Sequence, residues 1–245
     1  MDRNITPDNF EAWNDEMGRK FDPDAYHNHP NPLIRNIERK RVRTVLKFIK
    51  PTEGQRVLEV GCGAGNVLEQ IVGADLTGID LSDHLLEKAR ERLRQRARLL
   101  KADAAALPFE DGWFGVVYCT EVLEHVLDPR AVIREMRRVL RPDGVAVVSI
   151  PNESVINGIK GHFLDNPIGR VLLNEKPGTY HSSKKMDDEW HLHSFDLKML
   201  KCICEGVFRI DRLAAIPSPV LPIRYVARLA PIKPASHAKT AESEG

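Results

Sequence analysis

The sequence predicts an α/β fold: a doubly wound, mostly parallel sheet with helices on both faces and a lid insertion after the fifth strand. Three observations carry this. Short β-branched runs alternate with amphipathic segments from Ile34 to about Arg212, the pattern of right-handed βαβ crossovers. The first run, Arg56 to Val60, ends in glycines at 61, 63 and 65. The last run, Val145 to Ile150, is almost unbroken in apolar residues and therefore suits a strand buried on both faces.

Each element follows from its own residues. Ile34, Ile37, Val42, Val45, Leu46 and Ile49 recur at helical spacing, and Pro51 stops that helix. After the first strand, Val67, Leu68, Ile71 and Val72 give one helical face closed by Gly73. Leu76 to Ile79 is a second strand, and Ser82 caps a helix carrying Leu85, Leu86, Ala89 and Leu93. Leu99–Leu100 marks a third strand and Phe114 to Cys119 a fourth. Val132, Ile133, Met136, Val139 and Leu140 form the next helix, and Pro142-Asp143-Gly144 turns into the fifth strand.

Around this core the texture changes. Residues 1–34 mix charge with Asn, His and Pro and predict an irregular N-terminal arm. The periodic region is taken as a domain over 35–216, with the lid insertion at 151–193. Prolines 217, 219, 222, 231 and 234 break the pattern in a C-terminal segment, 217–245, whose last ten residues are expected to be disordered.

Composition excludes several classes. The 245 residues carry 42% hydrophobic and 29% charged side chains and a net charge of +1, a globular balance that gives no general affinity for nucleic acid. Mean hydropathy is -0.34, and no apolar run reaches the ~18 residues of a membrane-spanning helix. The first twenty residues lack an apolar core, so no secretory signal is expected. The four cysteines, Cys62, Cys119, Cys202 and Cys204, show no CxxC pair, which predicts neither disulfides nor a zinc site and fits a reducing cytoplasm.

Ligands of such sheets bind beyond the carboxyl ends of the strands, where strand order reverses. The glycine loop there lets backbone approach a ligand without Cβ clashes. The nicotinamide fingerprint needs glycine at 66, where this chain has Asn66. Two acids follow at strand tips. Asp80 closes the second strand nineteen positions after Gly61, where a carboxylate can accept from ribose hydroxyls. Asp103 follows the third, placed to accept from an adenine amino group.

At this point the chain resembles the class I methyltransferases that use S-adenosyl-L-methionine. The matching blocks are VLEVGCGAG at 57–65, GIDLS at 78–82, KADA at 101–104 with LPF at 107–109, and LRPDG at 140–144. Residues 118–129 resemble the corresponding stretch of the quinone-pathway O-methyltransferases and the broad type 11 group, within a Rossmann-like methyltransferase fold. The resemblance implies that Glu59, Gly61, Gly63 and Gly65 shape the site for the methionine and ribose portions of the cofactor, with Cys62 a small packing residue among them. It implies Asp80 on the ribose, Leu81 against the adenine, and Asp103 and Ala104 on the adenine edge. Cys119, Thr120 and Glu121 would line the methionine end.

Methyl transfer is an in-line displacement at a sulfonium carbon, so positioning carries most of the rate, and an oxygen acceptor also needs its proton removed. Three histidines are candidates for that role: His125 at the rim of the fourth strand, and His191 and His193, which an extended strand would point together. Their alternative roles are to anchor a loop and to cap the helix near Ser194. With His27, His29 and His181 they form no helical HxxxH pair, and no metal is expected. In the insertion, Val155, Ile156, Ile159, Phe163 and Leu164 share a helical face, followed by Ile168, Val171, Leu172 and Leu173. That pattern suits a lid over an apolar acceptor, a segment touching membrane lipid, or a hairpin packed on its own core. Residues 35–50 and 87–101 each hold seven Lys/Arg and read as solvated helix faces. The expectation is a cytoplasmic enzyme methylating a small-molecule or lipid-like acceptor, on oxygen rather than nitrogen. RNA or protein methylation and a catalytically silent S-adenosylmethionine-binding regulator stand as alternatives.

Overall fold

The computed structural model describes residues 5–21, 24–159 and 190–232. Among the described residues, seven strands form one sheet: β1 (Arg56–Val60), β2 (Asp75–Asp80), β3 (Ala97–Lys101), β4 (Phe114–Thr120), β5 (Leu140–Pro151), β6 (Phe208–Pro217) and β7 (Pro222–Pro231). Their order is β3-β2-β1-β4-β5-β7-β6. β1 through β5 pair in parallel, and β7 runs antiparallel between β5 and β6. The chain steps outward from β1 to β3 and then returns to the other side of β1, so order reverses between β1 and β4. That is where a doubly wound sheet opens a ligand crevice.

Strand alternation divides the core between the two faces. Val57, Val116, Tyr118 and Val147 point to the face covered by α3 (Pro32–Ile49) and α4 (Asp83–Leu93), meeting Val42, Val45, Phe48, Leu86 and Leu93. Leu58, Val60, Val117, Cys119 and Val148 point to the face covered by α5 (Pro129–Val139) and α7 (Leu197–Cys204), meeting Val132, Ile133, Met136, Leu200 and Ile203. Every residue of β4 is buried, as a central strand covered on both sides requires. Local signals set the boundaries: the Ser82 side chain accepts from the Leu85 N–H, and Asp128 accepts from the Arg130 and Ala131 N–H groups.

Several expectations are corrected. The N-terminal arm is helical, with α1 (Pro7–Lys20) and α2 (Asp24–His27). Pro7 opens α1, the Asn9 side chain accepts from the Thr6 N–H at 2.8 Å, and Phe10 and Met17 bury one face. Only a single 3-10 turn, Leu68–Gln70, forms where a helix over 67–72 was expected. Arg96 takes the Glu69 and Ile71 carbonyls instead, at 3.0 and 2.9 Å. The turn expected at 142–144 survives as an excursion inside β5, between Leu140 paired with Phe114 and Val145 paired with Val116. Prolines after 216 do not break the sheet. Pro217, Pro222 and Pro231 sit at strand ends and Pro219 in the turn, positions that need no ladder N–H. α7 is capped by Asp196, which accepts from the Met199 N–H at 2.7 Å, rather than by His193 or Ser194. In the insertion, α6 (Glu153–Ile159) forms as spaced; the rest of that pattern, from 160 to 189, and the last ten residues lie outside the described residues.

Candidate active site

The glycine loop turns the chain from β1 toward β2. At Gly61 (φ +70°) a Cβ would lie 2.4 Å from Val122 Cγ2, so only glycine fits there. The Cys62 N–H then donates to the Ile79 carbonyl at 2.8 Å. Gly63 (φ +50°) has no atom of the described residues, beyond its two chain neighbours, within 4 Å of where its Cβ would stand, and it lines a cavity of about 340 Å³.

Asp80, at the tip of β2, ties the loop down. Its Oδ2 accepts from the Gly63 N–H at 2.8 Å and its Oδ1 from the Ser82 N–H at 2.9 Å. Burial raises its pKa, and these two donors hold the rise back. Asp103, after β3, accepts from the Ala105 N–H at 2.8 Å. Glu59 is buried in β1, where Oε2 accepts from the Tyr118 hydroxyl at 3.0 Å. Burial pushes its pKa up to about 8, against the Tyr118 bond, the Arg41 charge and an N–H from Leu68.

Beyond Thr120 the cavity meets a chain of charges that are buried at Glu38 and Arg41 and half-buried at Glu121 and Arg224. Arg41 of α3 clasps Glu38 through two hydrogen bonds and donates to Ser149 Oγ at 3.1 Å. Ser149 donates to Glu121 Oε1 at 2.8 Å, and Arg224 of β7 donates to Glu121 Oε2 at 2.7 Å. His27 Nε2 stands 3.4 Å from Glu38 Oε1. Burial works to raise the Glu38 pKa, but the Arg41 charge and hydrogen bonds outweigh it and hold Glu38 at about 2. Signs alternate along the chain, so each buried charge has an opposite neighbour.

The histidines part company. Residues 191–196 are not a strand: the Leu192 and His193 N–H groups both reach the Glu124 carbonyl, at 2.8 and 3.3 Å. His191 lines the cavity, its Nδ1 bonded to Glu153 Oε1 at 2.8 Å. His193 stands outside the cavity wall and donates from Nε2 to the Val126 carbonyl at 2.8 Å, so the expected pairing of the two rings is corrected. His125 is in the wall, 3.3 Å from the Trp190 carbonyl through Nδ1, with its ring against Trp190 and His191. Burial and the neighbouring His191 lower its pKa to about 3.

Of the residues singled out in the sequence, the cavity brings together Glu59, Gly61, Cys62, Gly63, Asp80, Leu81, Asp103, Ala104, Thr120, Glu121, His125 and His191. It does not include Gly65 or Cys119. A Cβ on Gly65 would meet Leu93 of α4 at 2.8 Å, so that glycine serves helix packing. Cys119 alternates away into the α5 face.

Residues the sequence did not flag complete the walls. Phe10, Asn14 and Phe21 come from the N-terminal arm, Glu38 and Arg41 from α3, and Arg224 from β7. Asp24 bonds Asn66 Nδ2 at 2.7 Å and Arg92 at 3.0 Å, which lays the arm over the glycine loop. Glu124 is also in the wall, with burial lifting its pKa to about 8 and Oε2 left without a hydrogen-bond partner among the described residues. Ligand atoms of Glu124, His125 and His191 all lie within 4.8 Å of one another, a grouping that could hold a metal ion, which the sequence had not suggested. No spacing rule reaches this set, because 66 or more residues separate His191 from the other two.

The methyltransferase domain family model matches residues 58–148. The ubiquinone biosynthesis O-methyltransferase of Actinobacillus pleuropneumoniae is 32% identical over 162 residues, covering 61% of this chain and 67% of that one. Its counterpart in Idiomarina loihiensis is 30% identical over 165 residues, 65% of this chain and 66% of that one. In several further relatives of the same name the chain spans about half the length. Among solved structures, the N-methyltransferase NodS of Bradyrhizobium japonicum, in complex with S-adenosyl-L-homocysteine, superposes with a TM-score of 0.63 at 17% identity, over 89% of this chain and 97% of that one. The ordered motifs, the strand order and these matches place the chain together: it belongs to the methyltransferase domain family of class I S-adenosylmethionine-dependent enzymes, type 11.

Proposed function

We propose that this protein transfers a methyl group from S-adenosyl-L-methionine to an oxygen of a small, lipid-like acceptor of the phenol or quinol type. The observation that carries the reading is a single cavity that holds both strand-tip carboxylates, Asp80 and Asp103, at one end and a mixed histidine and apolar wall at the other. Asp80 takes the ribose hydroxyls with the lone pairs its two N–H donors leave, while Asp103 and Ala104 take the adenine edge and Leu81 packs on the ring. Cys62 and the open face at Gly63 receive the methionine portion, with Thr120 and Glu121 at its far end. The relatives named for O-methylation in ubiquinone biosynthesis support oxygen and a quinone-type acceptor.

Ile156, Trp190 and Ile223 give the acceptor end its apolar surface. In the displacement, a lone pair on the acceptor oxygen forms the new C–O bond as the C–S bond breaks, its electron pair returns to sulfur, and the hydroxyl proton leaves. His191 is the candidate to take that proton, since it lines the cavity and the Glu153 carboxylate behind Nδ1 orients the ring. His125, with its pKa near 3, is a weak base and serves as wall.

Purified protein incubated with the methyl donor and short-chain polyprenyl catechols tests the proposal by mass spectrometry. One added methyl on oxygen, together with released S-adenosyl-L-homocysteine, is expected. No product from these catechols or from a total lipid extract, with donor binding intact in a calorimeter, would overturn it.

A further inference from the structure

The edge of the molecule that carries the cavity also carries an exposed surface of mixed character. β6 runs parallel to β5, so the turn between β6 and β7 lies at the same edge as the strand tips of the site. Val220 at this turn is 93% exposed and Leu221 41% exposed, and Ile223 and Arg224, directly after it, line the cavity. The end of α3 nearest this edge exposes Leu33, at 57%. Leu33, Asn36, Lys40 and Arg43 follow one another at helical spacing on the solvent side, with Arg39 beside them. Lys40 Nζ donates to the Pro217 carbonyl at 2.7 Å, which joins this stripe to the turn.

Charge on α3 is one-signed where it meets solvent. Its only acid, Glu38, is buried against Arg41, whereas Arg39, Lys40, Arg43 and Lys47 are exposed. Exposed aliphatic side chains at a turn tip, flanked by cations and lacking aromatic platforms, are suited to an anionic lipid surface. A nucleic acid would satisfy the cations but would leave Val220 and Leu221 in water. Among the described residues no helix is long and apolar enough to cross a membrane, so contact here would lie in the plane of the interface.

The geometry points to a membrane-docking surface, formed by Leu33, Arg39, Lys40 and Arg43 of α3 with Val220 and Leu221 of the β6–β7 turn, that seats the cavity edge on anionic phospholipid. Aliphatic side chains enter the acyl boundary, the cations stay at the headgroups, and the cavity edge faces the leaflet in which a lipid-like acceptor dissolves. The purpose of the surface rests on the proposed acceptor; its existence does not.

Flotation of the full chain with vesicles tests it, using phosphatidylcholine alone and an equal mixture of phosphatidylcholine and phosphatidylglycerol. Binding to the mixture, weak binding to phosphatidylcholine, and loss with rising salt are expected. Val220→Asp with Leu221→Asp should weaken binding at least about tenfold, and so should Arg39→Glu with Arg43→Glu, while affinity for S-adenosyl-L-methionine stays unchanged. Val220→Ser and Arg43→Gln give smaller losses in the same direction should the double variants unfold. Equal binding to both vesicles, no binding to either, or variants that float like the parent would overturn the proposal. So would vesicle-independent loss, in the same variants, of RNA binding or of self-association. Vesicle binding without methylation of any lipid-like acceptor would overturn the proposed acceptor and leave the surface standing.

Discussion

The two ends of the cavity are built by different means. Around the glycine loop, polar groups are satisfied within short stretches of chain and mostly by backbone: Asp80 holds Gly63 and Ser82, and Asp103 holds Ala105. Around Glu121 they are satisfied by side chains brought from remote elements. Arg41 reaches Ser149 across 108 residues, and Arg224 reaches Glu121 across 103. A backbone cradle is specified by glycine and acid positions, and it tolerates most changes elsewhere in the chain. A side-chain relay has no such insulation, because each member is buried on the strength of the next. The first end should therefore fail locally when altered and the second globally.

The largest effect tests that contrast at the relay. Arg41→Met removes the cation that clasps Glu38 and leaves that buried carboxylate without it. Breaking a buried pair from one side typically costs about 3–5 kcal/mol, and chemical denaturation should show a loss of that order. A change below about 1 kcal/mol would mean that the relay is solvated in solution. At the cradle, Gly63→Val should behave in the opposite way. Its side chain projects into the cavity and not into protein, and the positive φ adds roughly 1–2 kcal/mol of strain. The fold should persist by circular dichroism while calorimetry detects no donor binding at concentrations that saturate the parent. Normal affinity would place the methionine portion elsewhere.

The same contrast explains what the sequence disclosed. Glycines 61 and 63 and the acids at 80 and 103 stand in the cavity wall where their spacing along the chain suggests, whereas Gly65 packs on Leu93. The apolar runs fixed the strands because alternation along β1, β4 and β5 decides which helix each residue meets. Arg41 and Arg224 gave no such signal. Arg41 lies among seven Lys/Arg in sixteen residues of a helix, and only packing against β5 decides that this one is buried. The hairpin of β6 and β7 was hidden because proline is read as a breaker, whereas here the prolines occupy strand ends. The expected pairing of His191 with His193 fails because the Glu124 carbonyl captures both N–H groups and bends the segment.

The pH dependence of stability should also carry opposite signs at Glu59 and at Glu38. Glu59, at about 8, stands above its ordinary value of 4.5, so the fold holds a proton that the unfolded chain has released. Its contribution is full below about pH 4.5 and is lost as pH rises through about 8. Glu38, at about 2, stands below 4.5, so its contribution is present above about pH 4.5 and is lost as pH falls toward 2. Denaturation across that range should show both limbs. Glu59→Gln should flatten part of the alkaline limb, where Glu124 also contributes, and Glu38→Gln should flatten the acid limb. A limb unchanged by its own substitution would remove that carboxyl from the relation.

The smallest effects separate the two histidines that the sequence pairs. His191 borders the cavity with Glu153 behind it, and general-base contributions are typically about 100- to 10,000-fold, so His191→Ala should lower kcat at least about a hundredfold with donor affinity unchanged. A hydroxide-assisted recovery at high pH would mark the loss as one of proton removal. His193 makes one hydrogen bond to the Val126 carbonyl, outside the wall. His193→Ala should cost about 1 kcal/mol of stability and change kcat by less than about twofold. Equal losses of turnover in the two variants would mean that residues 191–193 act as one structural unit, with no proton accepted at His191. A loss confined to His193 would require that segment to rearrange when the donor binds, bringing its ring in where His191 now stands.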